Sequence, residues 1–403
     1  MTDEEIALLK STFSVGVASA NATDVVRTRS SDHPHAHLSA PEVVALYNYG
    51  IESHMIKTED NYFLTVHRIT GNSKNPNPEG KRVVFLQHGL LSSSMDWVIA
   101  GPRRGLAFLL ADAGYDVWMG NARGNRYSRS HKFLSIKDPE YWQFDWHEIG
   151  SRDLPAMIDH VLNVTKREKL FYIGHSQGST AFFVMASELP EYNDKINAMF
   201  ALAPVAHCGR MKSPIFQALS RILKPLSFLT NIMGAYEFKP TNQFVKRFTS
   251  FICGSFLQPI CSNVIFMIAG FNPEQLDTEL LPAILAHVPA GAAVKQFIHY
   301  GQLIKTRSFR QFDHGRSMNM EQYKSRIPPD YNITKVTAPV SLHYTVNDWL
   351  SHPSDVDLLY SQLPNPIVKL RVPNDKFNHL DHLWAKDVKK LLYDKVMSLM
   401  KRY

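Results

Sequence analysis

The segment GHSQG at residues 174–178 carries the clearest chemical signal in the chain. It follows an apolar run at 170–173 and precedes a helical pattern that begins near Gly178. Glycines on both sides of a serine allow the strained strand-to-helix turn of a nucleophile elbow, which lifts the serine side chain above a sheet. We therefore predict that Ser176 is a nucleophile rather than a structural turn residue.

A serine hydroxyl is a weak nucleophile, so it needs a histidine to remove its proton and an acid to orient that histidine. After a nucleophile elbow the acid comes next in the chain and the histidine last, each behind a later strand. Two later apolar runs are followed, in that order, by Asp348 and His379. The sequence therefore predicts a triad of Ser176, Asp348 and His379. Two neighbours compete for these roles, but Asp355 begins a helical run and His382 lies at the approach to the last helix.

Attack on an ester carbonyl creates an oxyanion, which backbone N–H groups must already be aimed to receive. One donor is expected at Gln177, the residue after the nucleophile. The second is expected in the segment HGLL at 88–91, after the first buried strand, where Gly89 permits close approach of the backbone. Leu90 is our candidate for this second N–H group.

Apolar runs separated by helical patterns supply the elements that would position these residues. An unbroken apolar run is typical of a strand covered on both faces, and strands that alternate with helices indicate a parallel sheet. The predicted buried strands are 82–87, 115–119, 170–173, 198–203, 340–344 and 367–372. The predicted helices include 153–164, 178–189 and 386–400. The sequence therefore predicts an α/β fold, with a mostly parallel central sheet and helices on both faces.

The alternation of strands and helices is interrupted once, by a long segment that is largely helical and loop-like. An insertion between two strands of the sheet is the simplest account of it. We predict a tail at 1–39, a core formed by 40–204 and 335–403, and a mainly helical insertion at 205–334. This insertion, called the cap, is expected to lie over the carboxyl edge of the sheet, where it would carry a lid.

Composition restricts the class of protein. The 403 residues are 44% hydrophobic and 20% charged, which is typical of a packed globular chain and unlike a disordered one. The net charge is +7, but the basic residues are not clustered with aromatic ones, so we expect no nucleic-acid partner. No apolar run reaches the roughly 18 residues that a membrane span needs, so we expect no transmembrane segment.

Neither a metal nor a cofactor is expected in the reaction. The sequence has no helical motif of two histidines and an acid, and no phosphate-binding glycine loop. Three histidines, His33, His35 and His37, alternate as ligands on a strand would. The proline among them and their terminal position favour a loose tail instead.

The cysteines Cys208, Cys253 and Cys261 are too few for a disulfide scaffold or a four-cysteine zinc site. They allow at most one bridge and one free thiol. No pairing follows from their number alone.

Candidate N-glycosylation triplets begin at Asn21, Asn163 and Asn332, and they matter only if the chain enters the secretory pathway. The chain opens with acidic residues, whereas a signal peptide opens with basic ones and continues with an apolar stretch. The tail is therefore expected to hold an atypical signal segment if it holds one.

Five segments resemble the acid lipase family, which includes gastric lipase, lysosomal acid lipase and their invertebrate relatives. The resemblance extends over about residues 40–402. Its segments are LQHGLL at 86–91, GNARGNRYS at 120–128, GHSQG at 174–178, NDWL at 347–350 and NHLD at 378–381. The catalytic and oxyanion residues predicted above fall on the positions that the family's motifs give them.

The resemblance implies an α/β-hydrolase core with a lid around residues 234–262 of the cap. It also implies hydrolysis of triacylglycerols or cholesteryl esters through an acyl-enzyme at a lipid–water interface. By the same resemblance, Cys253 and Cys261 lie where the family carries a disulfide. The family further implies a secreted protein or one of the lysosomal or endomembrane lumen.

Two alternatives come from other functional classes. A carboxylesterase acting on soluble short-chain esters would use the same scaffold, and a fixed cap with a narrow site would favour it. A non-catalytic lipid-binding protein of this fold is disfavoured because the triad and the oxyanion loop are complete. The sequence does not indicate an oligomeric state.

Overall fold

The protein is described by a computed structural model for residues 33–221, 236–238 and 268–403. The predicted tail 1–39 and the lid range 234–262 lie mostly outside the described residues, and Asn21, Cys253 and Cys261 lie wholly outside them. Among the described residues, no helix combines the length and the apolar character that a membrane crossing requires.

Nine strands of the described residues form one sheet, and two short strands form another. In chain order the strands are β1 (Gly50–Lys57), β2 (Tyr62–Gly71), β3 (Arg82–Gln87), β4 (Tyr115–Gly120), β5 (Ser130–His131), β6 (Leu170–His175), β7 (Ile196–Leu202), β8 (Glu237–Phe238), β9 (Ala292–Ala293), β10 (Val340–Tyr344) and β11 (Pro366–Arg371). The large sheet has the order β1-β2-β4-β3-β6-β7-β10-β11, with β5 paired to β2, while β8 pairs with β9. From β4 to β11 in this order every pairing is parallel, whereas β1, β2 and β5 pair antiparallel.

Helices cover both faces of the large sheet. In chain order they are α1 (Ala40–Leu46), α2 (Leu106–Asp112), α3 (Trp146–Glu148), α4 (Leu154–Thr165), α5 (Gln177–Glu188), α6 (Pro214–Arg221), α7 (Leu281–His287), α8 (Val294–Thr306), α9 (Arg316–Tyr323), α10 (Pro353–Gln362), α11 (Asp381–Trp384) and α12 (Asp394–Met400). Two π-helical turns, Ile149–Asp153 and Lys389–Tyr393, lead into α4 and α12. Helices α4 and α5 pack on one face, and α2 and α12 pack on the other.

Alternate residues of the central strands enter two separate apolar clusters. In β3, Val83 and Phe85 belong to one cluster, and Val84 and Leu86 belong to the other. All six residues of β4 and all six of β6 are buried. Burial on both faces is the reason these strands appear in the sequence as unbroken apolar runs.

The predicted fold class, an α/β fold with a mostly parallel sheet, is confirmed. The predicted bounds of the buried strands differ from the observed ones by at most two residues. The predicted bounds of β3 and β10 match the structure. Strand β7 begins at Ile196 rather than 198, and β6 continues to His175. The last predicted helix, 386–400, divides into a π-helical turn and α12.

The prediction of a loose tail for the three histidines is wrong. Residues Pro34–His37 form a 3-10 turn, and His35 is only 3% exposed. Its Nδ1 donates to the Ile99 carbonyl at 2.7 Å, and its Nε2 lies 2.9 Å from the Tyr47 hydroxyl. Because both ring nitrogens have partners, the ring can be buried without an orphaned polar atom. The proline opens the turn at a position where a helix tolerates it well.

The cap leaves the sheet after β7 and returns to it at β10. These two strands are neighbours, with Val340 opposite Met199 in parallel register. Within its described residues the cap holds helices α6 to α9 and the β8-β9 pair. Helices α6 and α8 contact through Phe216 and Phe297, whose rings stack at 6.2 Å. The boundaries of tail, core and cap stay a prediction.

Candidate active site

Ser176 stands at a sharp turn between β6 and α5. Its backbone has φ 52° and ψ −118°, a conformation that residues other than glycine rarely adopt. The Ser176 N–H donates to the Leu202 carbonyl at the end of β7 at 3.0 Å, which ties the turn to the neighbouring strand. Ser176 is half-buried, whereas the residues on both sides of it are buried. This strand-turn-helix geometry is that of a nucleophile elbow.

The two glycines of the elbow are required by its close packing. A Cβ at Gly178 would lie 2.2 Å from the Gln87 carbonyl oxygen, and one at Gly174 would lie 2.7 Å from the Gly178 carbonyl carbon. Both contacts are with backbone, which cannot swing aside as a flexible side chain could. The glycines therefore let α5 begin directly against β3 and β6.

The structure brings Asp348 and His379 together from the loops that follow β10 and β11. His379 Nδ1 lies 2.8 Å from Asp348 Oδ2, and the Asp348 side chain is completely buried. The other carboxylate oxygen, Oδ1, accepts from the N–H groups of Leu350 at 2.8 Å and Ser351 at 2.7 Å. These two backbone bonds fix the carboxylate, and the carboxylate holds the Nδ1–H tautomer of His379.

The histidine loop also contacts the elbow itself. His175, the residue before the elbow serine, donates from Nε2 to the His379 carbonyl at 3.0 Å, and the two rings lie 4.9 Å apart. Burial is the main reason that the pKa of His175 lies well below its usual value. His175 is therefore neutral, and it links the turn that carries Ser176 to the loop that carries His379.

The two competing residues are engaged in other bonds. Asp355 accepts from the backbone N–H of Arg210 at 2.8 Å and from its guanidinium at 3.0 Å. His382 donates from Nδ1 to the Asn378 carbonyl at 3.1 Å, and burial lowers its pKa to about 4. The acid at hydrogen-bond distance from His379 is thus Asp348.

The predicted oxyanion loop lies against the elbow. A Cβ at Gly89 would be only 3.2 Å from the Ser176 Cβ, so glycine allows this backbone to approach the serine closely. Leu90 follows in the same loop, and Leu91 has a left-handed φ of 65°. The Leu91 carbonyl accepts from the Ala290 N–H in the cap at 2.6 Å, so cap and core meet at this loop.

His88, which the sequence analysis does not single out, holds the oxyanion loop through hydrogen bonds of its ring. Its Nδ1 donates to the Gly89 carbonyl at 2.7 Å, and its Nε2 accepts from the Ala122 N–H at 3.1 Å. The same Nε2 lies 3.1 Å from the Asn125 amide. Burial lowers the pKa of His88 to about 4, so the ring stays neutral and can accept at Nε2. His88 lies in the segment LQHGLL at 86–91, and Ala122 and Asn125 lie in GNARGNRYS at 120–128.

The other predicted donor, Gln177, connects the elbow to the cap through its side chain. Its amide nitrogen donates to the Gln296 side-chain oxygen on α8 at 2.7 Å, and both side chains are buried. The Gln177 residue begins α5, so its backbone N–H lies in the first turn of that helix. Helix N–H groups at this position have no partner within the helix and favour negative charge.

A buried ion-pair network supports the segment beside the oxyanion loop. The Arg123 guanidinium bonds to Asp153 at 2.7 Å and to Asp60 at 2.6 Å, and its side chain is 1% exposed. The Arg123 backbone N–H also donates to Asp153 at 2.9 Å. Arg123 and other neighbours hold the pKa of Asp60 well below its usual range despite partial burial. The network fixes the chain just after β4, next to His88.

Metal-binding side chains are not gathered in the described part of the chain. There, no group of three histidine, cysteine, aspartate or glutamate residues is arranged to hold a metal ion. Cys208 is a free buried thiol whose pKa is raised by burial.

Two family profiles match the chain. A partial α/β-hydrolase lipase region matches residues 40–101, and the α/β hydrolase fold matches residues 82–259. The chain is also similar to a Sulfolobus solfataricus protein of known structure, with a TM-score of 0.60 at 13% identity, covering 87% of this chain and 94% of that one. At such low identity this likeness concerns the fold alone, and it agrees with the predicted α/β-hydrolase core.

Close relatives extend over nearly the whole chain. Lipase 3 of Drosophila melanogaster is 46% identical over 88% of this chain and 91% of its own. Gastric triacylglycerol lipase of Bos taurus is 39% identical over 91% and 92%. Lysosomal acid lipase/cholesteryl ester hydrolase of Homo sapiens is 37% identical over 92% of each chain. The chain therefore belongs to the acid lipase family of α/β hydrolases.

Proposed function

We propose that this protein hydrolyses carboxylic esters of neutral lipids, with Ser176 as the nucleophile. The observation that supports this most is the 2.8 Å bond between His379 and the buried Asp348, in a loop that contacts the strained serine elbow. The names of the mammalian relatives support triacylglycerols or cholesteryl esters as the substrate class.

In the first half-reaction the Ser176 hydroxyl oxygen attacks the ester carbonyl carbon, and its proton passes to His379 Nε2. Asp348 keeps the Nδ1–H of His379 in place and stabilises the imidazolium that forms. The N–H groups of Leu90 and Gln177 receive the oxyanion. When the tetrahedral intermediate collapses, the carbon–oxygen bond to the alcohol breaks and the alcohol takes the proton from Nε2.

In the second half-reaction a water molecule attacks the acyl-enzyme. His379 Nε2 takes a proton from the water, and the same two N–H groups receive the second oxyanion. Collapse releases the fatty acid and returns the proton to Ser176. The arrangement needs no cofactor, because attack, proton transfer and charge stabilisation all come from the chain.

We place access to the site under the control of the cap, with the lid around residues 234–262 and the core at 40–204 and 335–403. The bonds between Ala290 and Leu91 and between Gln177 and Gln296 support this, because they join cap residues to the oxyanion loop and the elbow. A lid that opens at a lipid–water interface would admit a bulky ester. The hydrolysis itself does not depend on this part of the proposal.

The relatives named as lysosomal and gastric enzymes support a secreted or lysosomal lumen location. Glycans at Asn163 and Asn332 fit this location, since both residues are exposed. A disulfide between Cys253 and Cys261 would fit it too. Mass spectrometry of the secreted protein, with and without glycosidase and reductant, tests all three modifications.

The test of function is fatty-acid release from emulsified long-chain triacylglycerol and cholesteryl ester, beside a dissolved short-chain ester. Wild type is compared with Ser176→Ala and with Ser361→Ala, a control that removes an exposed hydroxyl near the end of α10. We expect emulsion activity in wild type and the control, and none in Ser176→Ala.

Two other results would revise the proposal. Activity on the dissolved ester alone would indicate a carboxylesterase. An absence of hydrolysis in folded wild-type protein would favour the non-catalytic lipid-binding alternative.

A further inference from the structure

Residues 268–272, called the strap, lie between the loop that carries Asp348 and the loop that carries His379. The Ala269 carbonyl accepts from two backbone N–H groups, that of Trp349 at 3.3 Å and that of His379 at 3.2 Å. One oxygen atom thus joins the residue after the acid to the histidine itself. Ala269 is completely buried, so water does not compete for these bonds.

A side-chain amide from each loop also donates a hydrogen bond to the strap. Asn347 donates to the Phe271 carbonyl at 2.9 Å and to the Lys376 carbonyl at 2.7 Å, and Asn378 donates to the Gly270 carbonyl at 3.0 Å. Asn347 and Asn378 each precede a triad residue directly in the chain. Together with the bonds to Ala269, their bonds give the carbonyls of residues 269, 270 and 271 a partner in at least one of the two loops.

Gly270 shows how closely the strap approaches the acid loop. Its φ is 112°, and a Cβ there would lie 2.1 Å from the Asn347 carbonyl oxygen. A side chain at this position would therefore push the strap away from the residue just before Asp348. The close approach needs a glycine for its space and for its backbone conformation.

Asn272 bonds to the turn that presents the histidine. Its amide nitrogen donates to Asp381 Oδ2 at 2.6 Å, and the same oxygen accepts from the Asn378 N–H at 2.8 Å. Asn378 Oδ1 in turn accepts from the N–H groups of Leu380 and Asp381 at 2.9 Å and 3.0 Å. The turn at 378–381 is thus closed by side-chain bonds, and Asn272 holds it from outside.

We propose that the strap positions the catalytic pair, and that Asn272 is its positioning residue. By holding Asp381, Asn272 fixes the turn that carries His379, whose Nδ1 bonds to Asp348. The inference rests on the proposed function, because it assigns the strap to the same reaction. It predicts that loosening the strap lowers the chemical rate more than substrate binding, since a misplacement of about 1 Å can cost about a hundredfold in rate.

A matched control lies three residues further along the chain. Gln275 donates from its side chain to Asp387 at 2.8 Å, and its side-chain oxygen accepts from the Asp387 N–H at 3.0 Å. Like Asn272 it is a buried amide bonded to an aspartate near the carboxyl terminus. It differs in that Asp387 lies beyond α11, outside the turn that carries His379.

The experiment compares Asn272→Ala and Gln275→Ala with wild type in the full-length protein. It measures kcat and KM on a dissolved short-chain ester, the rate at which a p-nitrophenyl phosphonate reacts with Ser176, and unfolding in urea. For Asn272→Ala we expect kcat and the phosphonylation rate to fall about 10- to 100-fold, with KM changed by less than about twofold. For Gln275→Ala we expect a similar loss of stability with kcat within about twofold of wild type.

A third variant covers the case in which Asn272→Ala does not fold. Asn347 is only half-buried, so Asn347→Ala should fold, and we expect it to lower kcat and the phosphonylation rate several-fold at constant KM. Unchanged kcat in Asn272→Ala, or in Asn347→Ala where that is the folded variant, overturns the role of the strap. Equal activity losses in the Asn272 and Gln275 variants overturn it too. In both cases a reactive wild type leaves the proposed function standing, whereas an inert wild type overturns both.

Discussion

Asp348→Asn separates two tasks that one carboxylate performs. Oδ1 accepts from two backbone N–H groups, and Oδ2 accepts from His379 Nδ1. An asparagine has the same shape, so its oxygen can still accept both backbone bonds. Its NH2 group then faces His379 and requires a lone pair at Nδ1. The ring must therefore carry its proton on Nε2, where it can no longer accept the proton of Ser176.

We expect Asp348→Asn to lower kcat by about 10⁴-fold, the loss found when a triad acid is replaced so that the wrong tautomer forms. At 1.36 kcal/mol for each factor of ten, this is about 5.4 kcal/mol of transition-state stabilisation. Asp348→Ala should lose comparable activity, but it also leaves the N–H groups of Leu350 and Ser351 without this acceptor. Each buried donor left unpaired costs about 1–3 kcal/mol, so the alanine variant should unfold at clearly lower urea concentration.

The assay pairs kcat on a dissolved ester with urea unfolding of both variants. The control is Asp355→Asn, which alters the competing acid and its bonds to Arg210. It should keep kcat within about threefold of wild type, because Asp355 bonds to Arg210 rather than to His379. Retention of more than about a tenth of wild-type kcat in Asp348→Asn, or instability equal to that of Asp348→Ala, would contradict this role of the carboxylate.

Three further predictions concern the surroundings of the triad. Gly178→Ala places a Cβ 2.2 Å from the Gln87 carbonyl oxygen, so ester hydrolysis should fall more than about a hundredfold. Full activity in a stopped-flow ester assay would contradict this. Arg123→Met leaves the fully buried carboxylate of Asp153 without its cation, so the free energy of unfolding in urea should fall by about 3–5 kcal/mol. A fall below about 1 kcal/mol would contradict this. Burial lowers the pKa of His88 to about 4, against about 6.5 when unfolded, so the unfolded chain binds more protons between these values. The contribution of neutral His88 to the free energy of unfolding is therefore complete above about pH 6.5 and falls by about 3 kcal/mol towards pH 4. When unfolding in urea is measured at a series of pH values, His88→Gln should show a smaller fall in stability over this range.

The central sheet and the elbow could be predicted from local patterns. A parallel strand buried on both faces is apolar throughout, so β3 and β10 were recognised with correct bounds. The elbow carries its own signature, because a strand, a serine between two glycines and a helix follow one another directly in the chain. Where a few neighbouring residues decide the structure, the sequence was sufficient.

The polar supports of the site could not be predicted in this way. Asn272 and Asp381 are 109 positions apart in the chain, and His88 and Asn125 are 37 apart. No periodicity or spacing rule links residues so distant, since their contact depends on the finished fold. The error at His35 has the same origin, because its burial depends on Ile99 and Tyr47 meeting around it.

These supports favour His379, rather than a neighbouring histidine, as the proposed base. His88, His175 and His382 are all buried, and burial lowers the pKa of each. A buried imidazole without an acid partner resists taking a proton, so these three serve as neutral hydrogen-bonding groups. His379 lies among them but has the Asp348 carboxylate at Nδ1, which stabilises the charge that proton transfer creates. The selection of the base thus depends on one carboxylate, and the neutral rings around it hold the loops in the geometry that this carboxylate needs.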